Sequence, residues 1–120
     1  MNLKALSFFL LFVSNALGAT EKGFAIMFDQ RLGNCAACHS LPDSQGKKIG
    51  WQSTFAPPLE GVGTRYTKAQ LIQWVVDARV MRPSTLMPPF GVDLNTATAK
   101  GRLLTDAQIA DVAAALETLR

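Results

Sequence analysis

The sequence predicts a small all-α domain of three or more helices joined by long loops, on three observations. Three segments carry apolar residues at helical spacing, and two of them open on the same Thr-x-x-Gln signal. No convincing run of alternating β-branched residues reads as a strand. Two cysteines and the only histidine are gathered in one five-residue run, Cys35-Ala36-Ala37-Cys38-His39, directly after the first helical segment.

The chain begins with a segment that is not part of that domain. Residues 1–19 combine Lys4, an apolar run from Ala5 to Val13 and the small residues Ala16, Gly18 and Ala19 ahead of Glu21, the pattern of a secretory signal peptide. The apolar run is about half of the roughly 20 residues that a spanning helix needs, so stable membrane insertion after cleavage is not expected. Cleavage after Gly18 places Ala16 and Gly18 at the small-residue positions, whereas cleavage after Ala19 brings Leu17 into one of them. Residues 20–120 then form a single exported domain, in bacteria a periplasmic one.

The first helix is expected from about Glu21 to Leu32, with Phe24, Met27, Phe28 and Leu32 on one face. The second starts at Thr67, whose hydroxyl pairs with Gln70 in a capping box, and runs through Leu71, Trp74, Val75 and Ala78 until Pro83 ends it. The third repeats the start signal at Thr105 and Gln108 and carries Ile109, Val112, Ala113, Leu116 and Leu119 on one stripe. Its small cluster Ala113 to Ala115 invites close packing, and Gly23 on the first helix lacks the side chain that would prevent it. The segments 40–66 and 82–104 are long loops rich in Pro, Gly and Ser, and loops of that length in so small a domain need a role.

Two thiols separated by two residues can reach the two vinyl groups on one edge of a porphyrin, and a histidine that follows directly then lies under the iron. Cys35, Cys38 and His39 are therefore read as the attachment site and proximal ligand of one covalent haem c. A zinc site would need four donors, and beyond these three the chain offers only carboxylates. A thioredoxin-like thiol pair would need alternating strands and helices. A domain of about a hundred residues also gains from a cofactor at the centre of its core. The formal charge of +3 falls to +2 once Lys4 leaves with the signal, which gives nucleic-acid binding no support.

A second axial ligand must come from a loop, and with no second histidine the candidates are Met27, Met81 and Met87. Met87 has the stiffest setting, followed by Pro88-Pro89-Phe90-Gly91; Met27 and Met81 read as core residues. An open sixth site is the remaining alternative. The ligating histidine needs an acceptor for its other ring N–H, which the loop Ala56-Pro57-Pro58-Leu59-Glu60-Gly61 can supply as a backbone carbonyl. Arg65 can pair with a haem propionate. Trp51 and Trp74 are expected to pack, with an indole N–H available to a propionate from either.

Gly33-Asn34-Cys35-x-x-Cys38-His39, Pro57-x-Leu59-x-Gly61-Val62-Gly63, Met87-Pro88-x-Phe90-Gly91 and the final Leu104-Thr105 helix together resemble a class I monohaem cytochrome c. The resemblance covers the whole exported domain and implies the small class I fold, long loops around one covalent haem. It implies His39 and Met87 as iron ligands and Pro57 as the residue whose carbonyl accepts the histidine N–H, with Pro58 one residue away. Ala56 stands where the family usually has glycine. More narrowly, Asp77-Ala78-Arg79 followed by Pro83-x-Thr85-x-Met87-Pro88-x-Phe90 is similar to the SoxX subunits of the SoxAX cytochromes of bacterial sulfur oxidation, with Arg82 where asparagine is common.

That narrower resemblance implies an electron-transfer subunit without activity of its own, paired with a SoxA-like cytochrome that holds the catalytic haem. Together they would form an L-cysteine S-thiosulfotransferase, which joins thiosulfate oxidatively to a carrier-protein cysteine and passes electrons to a downstream cytochrome. The alternatives are a stand-alone periplasmic electron shuttle and a haem enzyme working at an open iron site. Phe90 and Val92, beside Met87, are the expected contacts for a partner.

Overall fold

A computed structural model describes residues 18–93 and 101–120. Most of the predicted signal peptide, and residues 94–100 of the second long loop, lie outside the described residues. Among the described residues there are four α-helices and no strand: α1 over 18–28, α2 Val62–Arg65, α3 Lys68–Met81 and α4 Asp106–Glu117. A 3-10 turn, Cys35–Ala37, sits between α1 and α2.

Both expected capping boxes are formed. Thr67 accepts from the Gln70 N–H at 3.2 Å while its own N–H donates to the Gln70 side chain at 2.9 Å. Thr105 and Gln108 repeat the arrangement at the start of α4. Each box satisfies two backbone donors that a helix start leaves without partners. At the same end of α4, Asp106 pairs with Arg102 and is held below the ordinary carboxylate range by that contact.

The core is built from the predicted stripes. Met27, Leu71, Ile109 and Val112 are fully buried, joined by Leu41 and Leu104 from the loops. α4 is the common support, packing against both α2 and α3. It also meets α1 at Gly23, where an added Cβ would lie 2.8 Å from the Ala115 side chain and would run into the Asp111 carbonyl. The close approach expected there is present. At Gly63 of α2 the same thing happens: a Cβ would sit 2.8 Å from the Leu116 carbonyl, and the Gly63 N–H donates to the Leu119 carbonyl at 2.8 Å.

Several expectations are corrected. α1 ends at residue 28 rather than at Leu32, because Asp29 offers its carboxylate to the Arg31 N–H at 2.8 Å and its carbonyl to Leu32 and Asn34, turning the chain out of the helix. The loop 40–66 contains α2, entered through Gly61 at φ 81°, a conformation glycine adopts without cost. Trp51 does not pack, being 82% exposed, and Met81 is at the surface with 37% exposed rather than in the core. α3 is interrupted inside: Asp77 is extended, at φ −158° and ψ 97°, so the regular helix stops at Val76 and Ala78 starts a further turn. No helix among the described residues is long and apolar enough to cross a membrane.

Candidate haem site

The cysteine-histidine run is shaped by a turn that sequence and backbone both require. Asn34 sits in the left-handed region at φ 47°, which asparagine tolerates better than most residues, and its carbonyl accepts the Ala37 N–H. The Cys35 carbonyl then accepts from both Cys38 and His39, folding the motif into a single tight turn. Gly33 lets the chain pass beneath it, since a Cβ there would lie 2.8 Å from the Ile26 carbonyl and 3.3 Å from the Cys35 sulfur.

Cys35 and Cys38 are both free thiols. Cys35 as a residue is only partly covered, but its sulfur faces inward, and burial pushes the thiol up to about 12. It is therefore a neutral thiol in the folded chain.

A second segment runs alongside the motif and supplies its supports. The N–H groups of Ser53, Ala56 and Leu59 donate to the carbonyls of Ala36, Cys38 and Ser40 at 3.2, 2.7 and 2.8 Å. This register brings Pro57 opposite His39, and His39 Nδ1 meets the Pro57 carbonyl oxygen at 2.6 Å. A carbonyl only accepts, so Nδ1 carries the hydrogen and Nε2 is left with its lone pair available to a metal. The choice between Pro57 and Pro58 thus falls on Pro57.

The loop between these two strips is closed by Gln52, whose side-chain amide bonds both the N–H and the carbonyl of Leu41, at 3.0 and 2.6 Å. Glu60 ties the other end: it accepts from the Ser40 hydroxyl at 3.2 Å and pairs with Lys48 at 3.4 Å. Burial alone would push the Glu60 carboxyl up, but a backbone N–H, Ser40 and Lys48 outweigh it and hold the group below its ordinary value. Sequence reasoning named neither Gln52 nor Glu60 for these roles, since both depend on which strips lie side by side.

In the loop after α3, Met87 is half-buried and packs against the core. Its N–H donates to the Thr85 hydroxyl at 3.2 Å, and Thr85 closes a turn onto the Arg82 carbonyl at 3.0 Å. Thr two residues before the methionine is a turn signal that sequence could have supplied. Downstream, Phe90 and Gly91 donate to the carbonyls of Val75 and Val76 at 3.1 and 3.0 Å, and Phe90 in turn accepts from Leu104. Phe90 is only 8% exposed, which corrects its expected role as a partner contact; Leu86, 80% exposed, is the apolar side chain this loop presents outward.

Arg65 is exposed and donates to the Glu60 carbonyl at 3.3 Å. Trp74 stacks edge-on against Tyr66, with centroids 5.8 Å apart, and its buried indole N–H has no partner among the described residues. A buried donor of that kind costs about 1–3 kcal/mol unless something accepts from it. Among the described residues no group of three or more His, Cys, Asp or Glu could hold a metal ion. The free His39 Nε2, the two thiols and the unmatched Trp74 donor fit an iron porphyrin that brings its own ring nitrogens and carboxylates.

Comparison with known proteins agrees with this geometry. A family model described as cytochrome c matches residues 20–120. Among solved structures, the crystal structure of SoxXA from P. pantotrophus is similar at a TM-score of 0.73 and 37% identity, covering 82% of this chain and 80% of that one. Comparison with curated protein sequences gives no match.

Proposed function

The chain belongs to the cytochrome c family, whose members carry a covalent haem c and transfer electrons, and on that premise we propose that it is the SoxX-like, electron-accepting subunit of a periplasmic two-subunit cytochrome. The observation that carries the reading is the likeness to the SoxXA structure over four-fifths of both chains at 37% identity. Residues 1–19 serve as the cleaved export signal, and residues 20–120 are the working domain.

In this reading Cys35 and Cys38 would hold the haem covalently and His39 Nε2 would hold its iron, the ring oriented by the Pro57 carbonyl. That hydrogen bond also raises the basicity of the ligating nitrogen. Met87 would hold the iron from a loop stiffened by Pro88 and Pro89, and Arg65 would pair with a haem carboxylate. When bound, the haem supplies a one-electron iron couple. Both cysteines of the chain would be taken up in holding the haem, so these residues would offer no thiol to a sulfur compound.

The chemistry then belongs to a SoxA-like partner. Joining thiosulfate to a carrier cysteine thiol forms one S–S bond and releases a proton and two electrons, which this subunit accepts one at a time and passes to a downstream cytochrome. The test is reduction of the oxidised, purified holoprotein. Thiosulfate alone should leave it oxidised; thiosulfate with a SoxA-like cytochrome and its carrier protein should reduce it. Rapid reduction by thiosulfate alone, or no binding to a SoxA-like cytochrome, would return the chain to a stand-alone shuttle or an open-site haem enzyme.

A further inference from the structure

The interruption of α3 exchanges hydrogen-bond partners in a way that reaches the methionine loop. In an unbroken helix the Val75 and Val76 carbonyls would accept from the N–H groups of Arg79 and Val80. Here the Arg79 N–H donates instead to the Asp77 carboxylate at 3.1 Å, and the Arg79 guanidinium closes on the same carboxylate with two contacts of 2.8 Å. The released carbonyls are taken by Phe90 and Gly91. Gly91 fits because nothing larger would: a Cβ there would lie 2.9 Å from both the Val76 backbone and the Ile109 side chain.

We infer that Asp77 is a positioning residue for the axial methionine: by capturing Arg79 it holds α3 open, and the two freed carbonyls anchor the chain three and four residues beyond Met87. The inference rests on the reading that Met87 binds the iron. Met87 is then fixed from both sides, by the Thr85 hydroxyl before it and by the opened helix after it. The Asp77 side chain is only 15% exposed, while its Arg79 partner is half exposed.

The experiment is an imidazole titration of the oxidised holoprotein, in which added imidazole competes with Met87 and bleaches the sulfur-to-iron absorption band. Asp77→Ala should raise the apparent imidazole affinity roughly tenfold, the scale on which a charged hydrogen-bonded pair holds a loop. Asp77→Asn, which keeps an acceptor for the Arg79 N–H but not its charge, should fall between. Arg79→Gln, which leaves the carboxylate in place, should raise the affinity by about threefold and covers the case in which Asp77→Ala fails to fold. Thr67→Ala, which removes the cap at the opposite end of α3, should lower thermal stability without moving imidazole affinity. Wild-type affinity in Asp77→Ala or, where that variant does not fold, in Arg79→Gln would overturn the role of Asp77. Absence of the band from the unaltered protein would instead overturn Met87 ligation, and this inference with it.

Discussion

The ring nitrogen Nδ1 of His39 meets the carbonyl oxygen of Pro57 at 2.6 Å across eighteen positions of sequence. Proline at that position fixes φ and Pro58 after it confines ψ, so the carbonyl direction is constrained and the imidazole takes its orientation from it. Replacing Pro57 by Ala keeps the oxygen but frees the backbone. The Nδ1–H of the holoprotein should then exchange with solvent about threefold to tenfold faster, the range expected when a hydrogen bond of ordinary net worth is loosened; proton NMR of the reduced protein measures this directly.

Met81 ends α3 and Met87 lies in the loop that follows it, Met87 packed against the core and Met81 at the surface. Met87→Ala should abolish the sulfur-to-iron band and lower the reduction potential by on the order of 0.1 V, a modest share of the roughly 0.8 V that axial ligation spans. Met81→Ala should leave both nearly unchanged. Visible spectra and a redox titration distinguish the two, and the reverse pattern would move the ligand to Met81.

Gly23 allows α1 to touch the backbone of α4, so a methyl group there has nowhere to go. Gly23→Ala should cost about 2 kcal/mol or more, the upper part of the overpacking range, because a carbonyl cannot swing aside as a side chain can. For a domain of this size each kcal/mol lowers the melting temperature by about 4–8 °C. Adding Ala115→Gly should recover only part of the loss, since the Asp111 carbonyl remains in the way. Thermal melts of the three holoproteins test the order.

Glu60 carries a pH signature. Its carboxyl is held below the ordinary value of 4.5 in the folded chain, so the unfolded chain binds more protons as acid is added. Its stabilising contribution is thus complete above 4.5 and is lost as pH falls through the lower folded value. Glu60→Gln should be less stable than the unaltered protein at pH 7, with the difference shrinking towards pH 3. Denaturant midpoints at the two pH values check the sign.

What sequence could reveal here was what is local. The Thr67 and Thr105 caps need only residues three positions apart, and the α4 stripe needs only its own period. The end of α1 escaped because a single aspartate, Asp29, outbid a continuing apolar stripe for the backbone. The break at Asp77 escaped for a different reason: α3 can open there only because Phe90 and Gly91 arrive to use the released carbonyls. Pro57 and Pro58 were indistinguishable until the register of 53–59 against 36–40 placed one of them opposite His39. Trp51 was expected to pack on residue type alone, and nothing nearby in sequence says that its loop turns outward.

The contacts of α4 impose an order of events. It packs with α2 and α3 and meets α1 at Gly23, so the core cannot close until that helix has been made and brought back to residues far earlier in the chain. Until then the Cys35 sulfur, neutral and turned inward in the finished fold, stays within reach of solvent.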